Sequence, residues 1–270
     1  MTQDFEIEEY SLEEFTEYRA KFLDFGRGEI VQFEGEEHHL SIGERFLDFH
    51  SGLGRVLCLV AKHQGEAVGF AVITKRRLVA PNGQTTDPFW QFNAFHVSPD
   101  YADAPVPEAI FENRFPHHYF RCPRAYMLAV DLPDGSNPLA ERMAKFPMIS
   151  FRKASMLGYY LLAPDLARDL HSTFRRHRGR LSYRSAPEVR ALHNPDTGLS
   201  MQLRHYQHGP CAVRGEPEPS PGGVYAFMTP LEDPISRELE LNGITPAATI
   251  SVIHHRMQDW RWQFLLSNEV

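Results

Sequence analysis

A strand–turn–strand run from Arg55 to Leu78, followed by a strand–loop–helix–strand unit from Phe89 to Asp131, constrains this fold more than any other feature of the chain. Leu57 to Lys62 and Ala67 to Ile73 are two apolar runs, joined through Gln64, Gly65 and Glu66. Glycine at that spot supplies the positive φ that a tight hairpin turn needs. Phe89 to Val97 is rich in aromatics and suits a central strand. Ser98 to Pro105 reads as a loop, Val106 to Phe115 as a helix with Pro107 in its first turn, and Tyr126 to Val130 as a further strand.

The flanks extend this order. Phe5 to Glu9 alternates as a half-buried strand does, and Ser11 caps a helix whose apolar face carries Leu12, Phe15, Tyr18, Phe22 and Phe25. Residues 26–35 read as a loop, and Ser41 as the cap of a second helix. Pro81, Asn82 and Gly83 mark a turn. Ser136 caps a helix from Pro138 to Phe146 that Pro147 ends, and Ala154 to Leu162 is a strand. Beyond Ala163 the texture changes to a helix at 166–176, a Pro/Gly-rich stretch, and strands at 200–206 and 249–255. Trp260, Trp262 and Phe264 alternate as in one more strand. The expected division is residues 1–163 and a C-terminal extension or small second domain, 164–270.

Composition excludes several classes. The 270 residues are 42% hydrophobic and 23% charged, as in an ordinary folded protein. No run approaches the roughly 20 apolar residues that cross a bilayer, and the acidic N-terminus is unlike a secretory signal. Three cysteines (Cys58, Cys122, Cys211) are too few for a disulfide framework, which points to a reducing cytoplasm. The net charge of −7 is uneven: residues 1–50 hold 14 acidic and 4 basic side chains, residues 150–190 hold 3 and 9. Arg175, Arg176, Arg178 and Arg180 form a basic run. Such a run can meet phosphates of a nucleic acid, or else be a solvated or internally paired face. No metal is expected: the pairs His38-His39, His117-His118 and His254-His255 cannot chelate singly, and Cys122 has no second cluster at zinc spacing. No P-loop, dinucleotide fingerprint or nucleophile elbow occurs.

The element order over the first 160 or so residues resembles the GCN5-related N-acetyltransferase (GNAT) superfamily. The closest local likeness is Tyr126 to Asp131 followed by Asn137-Pro138-Leu139-Ala140, similar to the family's strand and Asn-x-x-Ala helix start. The resemblance implies an α/β (α+β) fold: a mixed, mostly antiparallel sheet flanked by helices, open between its fourth and fifth strands, with a C-terminal α+β extension. It implies acetyl-CoA or another acyl-CoA as cofactor and a small-molecule or macromolecular amine as acceptor. Phe95, Val97, Ser98 and Asn137 would then approach the cofactor. His96, at the end of a strand and titrating near neutrality, is the first choice as base. Asp131 and Tyr101 are further catalytic candidates.

Two departures stand out. The family's Arg/Gln-x-x-Gly-x-Gly/Ala loop has amides that cradle a pyrophosphate. It corresponds here to 98–106, which has no glycine and carries Pro99, Pro105, Asp100 and Asp103. The tyrosine that often follows the helix asparagine by seven positions is Ala144. An acyl-CoA-dependent N-acyltransferase with a divergent loop, a non-catalytic binding protein on that fold, and a nucleic-acid-modifying enzyme are the readings that follow.

Overall fold

A computed structural model describes residues 4–26, 28–78, 85–119, 122–146, 149–186, 188–209, 212, 215–258 and 260–270. The turn expected at 81–83, the helix stop at Pro147 and Cys211 lie outside them.

The chain begins with β1 (Glu6–Tyr10), a 3-10 turn (Glu14–Tyr18) and α1 (Arg19–Phe25). Ser11 and Glu14 cap each other reciprocally. The Ser11 amide donates to Glu14 Oε2 at 2.9 Å and the Glu14 amide to Ser11 Oγ at 3.4 Å. The stretch expected to be a loop instead holds β2 (Glu29–Phe33), which turns at Glu34 and Gly35 (φ 52° and 82°) into β3 (Glu36–Ile42). Ser41 therefore sits in a strand, opposite Ala191, and α2 begins only at Phe46 (Phe46–Ser51). These strands are dense in Glu and His and bury little beyond Val31, His38 and Leu40, so their alternation is weak in the sequence.

The hairpin of β4 (Gly54–His63) and β5 (Glu66–Arg76) forms as expected. It turns through Gln64 and Gly65 at φ 53° and 85°, the left-handed backbone such a turn requires. Next come β6 (Phe89–Val97), α3 (Val106–Tyr119, longer than expected), β7 (Ala125–Val130), α4 (Pro138–Ala144) and β8 (Arg152–Leu162). Asn137, not Ser136, caps α4, accepting from the Ala140 amide at 2.9 Å. The remaining elements are α5 (Pro164–Asp169), α6 (His171–Arg178), β9 (Leu181–Ser185), β10 (Arg190–His193), β11 (Ser200–Met201), β12 (Leu203–His208), β13 (Val224–Pro230), α7 (Pro234–Leu241) and β14 (Ala248–His255). Trp262–Phe264 is a 3-10 turn rather than the strand its alternation suggests, because Trp260, Trp262 and Phe264 pack as a cluster on Phe89 and Tyr126.

Ten strands form one sheet, in the order β1-β4-β5-β6-β7-β14-β8-β13-β12-β9. Among the described residues only β6–β7 and β12–β13 pair in parallel. Three strands on each side of the β14–β8 pair mirror one another in pairing sense, and β1 and β4 extend the sheet on one side only. The unit β7-α4-β8 takes β14 between its strands, and β13-α7-β14 takes β8 between its own. Residues on either side of position 163 thus share one sheet through strands each lends to the other. A second sheet, β11-β10-β3-β2, lies over it and is tied on by the Gln32 amide donating to the Ala247 carbonyl at 2.9 Å.

One face of the large sheet packs Trp90, Phe92, Met127 and Phe151 against Ile110, Phe111 and Met143 of α3 and α4. On the other, Tyr126, Leu157 and Val252 meet Val31, Leu40 and Leu192 of the small sheet. Phe15, Phe22 and Phe46 cover β4 and β5; burying each contributes about 1.5–3 kcal/mol. No helix among the described residues is long and apolar enough to cross a membrane.

Candidate functional site

The site arises where β6 and β7 part. They pair only at Trp90–Ala125, Gln91–Tyr126 and Phe92–Met127, although the strands continue to Val97 and Val130. A bulge starts the separation: Val72 faces Ala94 and Ile73 faces Phe92, leaving Asn93 as an extra residue. Strict alternation along this strand would put Phe95 on the same face as Gln91, and the bulge reverses that facing beyond Asn93. Phe95 lies on the Phe92 side, stacked at 5.8 Å on Phe92 and 5.4 Å on Phe111, instead of beside Gln91.

A cavity of about 190 Å³ occupies the gap. Its walls come from both faces of the sheet: Phe95, Ala129 and Leu139 on the α4 side, and Leu128, Leu40 and Ile42 on the side of the small sheet. It therefore passes through the sheet. Beyond the third pair, backbone groups of β6 and β7 that face the gap have no cross-strand partner, as a ligand site built on a sheet requires.

His96 lines this cavity. Its Nδ1 is 3.0 Å from the Phe22 carbonyl, which can only accept, so Nδ1 carries the proton and Nε2 keeps its lone pair. The ring stacks on Phe22 at 4.6 Å. Burial pushes its pKa down to about 4, with the Phe22 carbonyl opposing, so the ring is neutral at pH 7.

The other expected residues divide. Asn137 reaches the cavity wall, yet its amide donates to the Ala129 carbonyl (3.1 Å) and Asp131 Oδ1 (3.0 Å) while its oxygen caps α4. Asp131 sits behind the wall, bonded by Asn137 and Ser251; it braces the end of β7 against α4 and β14. Val97 packs under α3, away from the cavity lining. Tyr101 packs on Phe5 and His63, at the tip of the β4–β5 hairpin, and the structure does not bring it to the cavity.

The 98–106 loop is closed on itself. The amides of Ser98, Tyr101, Ala102, Ala104 and Val106 donate to the carbonyls of Val68, Ser98, Pro99, Tyr101 and Ala104. Arg142 of α4 grips Glu108 in the first turn of α3 through two bonds of 2.8 and 2.7 Å and reaches the Ala104 carbonyl at 3.3 Å. A carboxylate and its partner thus hold the place an anion would take. These residues do not fit a pyrophosphate cradle of the usual kind.

Two charged side chains of the cavity carry no recognisable local signal in the sequence. Glu29, the first residue of β2, and Arg190, the first of β10, both line the cavity. Glu29 keeps access to solvent, yet the protein crowds it closely enough to raise its carboxyl above the ordinary range, with Arg190 opposing. Arg190 is 4% exposed and lies over the Phe46 ring at 4.9 Å, within reach of a cation–π attraction. Burial pushes its pKa down to about 10.

The basic run lies in and just after α6. Arg176 is bonded by both oxygens of Glu238 at 2.6 and 2.7 Å, and Arg178 pairs with Asp233 at 3.0 Å. Arg175 and Arg180 are exposed. Among the described residues no group of His, Cys, Asp and Glu could hold a metal ion.

No protein-family model and no curated protein matches this sequence. Solved structures do. A tandem GNAT protein from the clavulanic acid biosynthesis pathway aligns with a TM-score of 0.53 and 10% identity, over 93% of this chain and 98% of that one. A putative acetyltransferase from Pyrococcus horikoshii aligns at 0.46 with 11% identity, over 99% and 94%. A GCN5-related N-acetyltransferase from Kribbella flavida aligns at 0.41 with 10% identity, over 96% and 72%. The first of these likenesses extends over nearly the whole of both chains, and this chain has the fold of the GCN5-related N-acetyltransferases.

Proposed function

We propose that this protein is an N-acyltransferase that receives an acyl thioester, such as acetyl-CoA, from the α4 side of the β6–β7 gap and an amine from the side of the small sheet. The observation that carries this reading is the cavity that crosses the sheet where the two strands part. The donor is held by its acyl-pantetheine arm along the separated strands, not by the closed 98–106 loop. Backbone N–H groups of β6 beyond the bulge are suited to polarise a thioester carbonyl. When bound, the thioester supplies the activated acyl group; the chain orients the amine, excludes water and takes up its proton. Two groups can take it: Glu29, whose carboxyl crowding by the protein raises, and His96, which burial keeps neutral with Nε2 unprotonated.

Thermal shift with acetyl-CoA, CoA and S-acetylpantetheine tests this. A ligand present at 100 times its Kd stabilises by about 2.7 kcal/mol. S-acetylpantetheine should reproduce most of the acetyl-CoA shift. No shift with either at millimolar concentration would refute the reading. The engaged loop amides and Ala144 favour a second one, a non-catalytic binder on the same fold. It predicts ligand binding with no acyl transfer to any amine.

A further inference from the structure

We propose that the acceptor is a small zwitterionic amino acid, its carboxylate held by Arg190 and its ammonium by Glu29; this rests on the acyltransferase reading of the same cavity. The starting point is a charge without a partner. Arg190 is more than nine-tenths buried, yet among the described residues no hydrogen bond or ion pair engages its guanidinium, and its Nε has no partner at all. Buried charges are ordinarily paired, because an uncompensated one is strongly disfavoured. The groups that surround Arg190 do not supply the counter-charge. His50, His96 and His205 face it with pKa values held below the ordinary 6.5, and Tyr159 with its hydroxyl held protonated. Glu29 is the one carboxylate side chain that acts on Arg190 among the described residues, and it makes no ion pair with it.

Among its lining side chains the cavity thus presents one cation and one carboxylate, with no ion pair between them. A ligand with one anionic and one cationic end satisfies both. A planar guanidinium binds carboxylate, as it does phosphate, through two parallel bonds, and carboxylate is the smaller of the two. Size adds a limit: the cavity's 190 Å³ or so is below the roughly 300–1,000 Å³ usual for drug-sized ligands. The position is also consistent with acceptor chemistry, since Glu29 and Arg190 lie on the small-sheet side, opposite α4. In the reaction the ammonium gives one proton to Glu29 and the freed amine attacks the thioester carbonyl. The C–N bond forms, the C–S bond breaks, the nitrogen's second proton passes to the departing thiolate, and the thiol and an N-acyl amino acid are the products.

The test compares glycine, β-alanine and 4-aminobutyrate with their own amides and with propionate, by calorimetric binding and by acetyl transfer from acetyl-CoA. At least one amino acid should bind ten-fold or more tighter than its amide and than propionate. Arg190→Gln should abolish the preference for acid over amide, Glu29→Gln the preference over propionate, and Arg190→Lys should retain part of the first. The proposal is overturned by equal binding of acid and amide, by no binding from any of the three amino acids, or by undiminished discrimination in Arg190→Gln. Should that variant not fold, the wild-type comparison and Arg190→Lys decide. Tight acid binding without transfer would sink the acyltransferase reading, and with it the acceptor role, and leave only the amino-acid binding site formed by Arg190 and Glu29 standing. Transfer to amines lacking a carboxylate, with equal kcat/KM, would do the reverse.

Discussion

Arg190→Met should make the ligand-free protein more stable, not less. Burial lowers the Arg190 pKa from 12.5 to about 10, which corresponds to ~3 kcal/mol held against the charged form. Against this stands the stacking of the guanidinium on Phe46 at 4.9 Å, worth about 1–2 kcal/mol. Methionine has a similar reach, keeps an apolar contact with Phe46 and brings no charge. The difference predicts stabilisation by about 1–2 kcal/mol, or roughly 2–5 °C in Tm for a chain of this size. Urea denaturation in ligand-free buffer measures it, with the slope of the transition checked for constancy. A loss of about 1 kcal/mol or more would show that Arg190 holds the fold together, and the reasoning from an uncompensated charge would fail. Buried ion pairs replaced by apolar groups of similar volume behave in the predicted direction.

The buried Glu269 carboxylate accepts from Arg76 (2.6 Å), Gln91 (3.1 Å) and Tyr126 (3.2 Å). Glu269→Gln should therefore cost about 3 kcal/mol in urea denaturation. His205 is fully buried and its pKa is lowered to about 3 from 6.5, so the unfolded chain binds its proton first. Stability should therefore fall as pH drops from about 6.5 toward 3, and His205→Gln should reduce that dependence by about 1.4 kcal/mol per pH unit near pH 5. Gly65→Ala meets no neighbouring atom but must hold φ near +85°. A loss of about 1–2 kcal/mol is expected for it, with no change in ligand binding. Asn137→Ala removes the α4 cap and the amide bonded to Asp131. Thermal or urea unfolding should show a loss of about 2 kcal/mol, the upper end for a helix cap.

Local patterns made the scaffold legible. Gln64 and Gly65 between two apolar runs announced a hairpin, and the aromatics of Phe89 to Val97 announced a buried central strand. The gap beside that strand was expected only from the family resemblance: element order puts a parallel partner next to the strand but does not say where the two part. His96 was placed at the cavity because its strand was read correctly. The facing of Phe95 was not, because a single-residue bulge at Asn93 leaves no periodic trace. Asp131 and Asn137 looked like cleft residues and proved to be bonded to each other; their spacing of six positions gave no hint of that bond.

The sequence by itself determined the hairpin, the central strands, the helix after β7 and the unfitness of 98–106 as a phosphate cradle. Glycines, prolines and alternation act on neighbouring residues, so such features are written locally. Only the tertiary structure decided what the cavity contains. Glu29 begins a strand too polar to show alternation, and Arg190 lies in a stretch that reads as turns. They meet because β3 pairs with β10, where Ser41 and Ala191, 150 residues apart, are partners. The insertion of β14 between β7 and β8 was likewise invisible, although the strand itself was not. Strand pairing at such distance is chosen by whole-sheet burial, and one residue's side-chain type does not encode it.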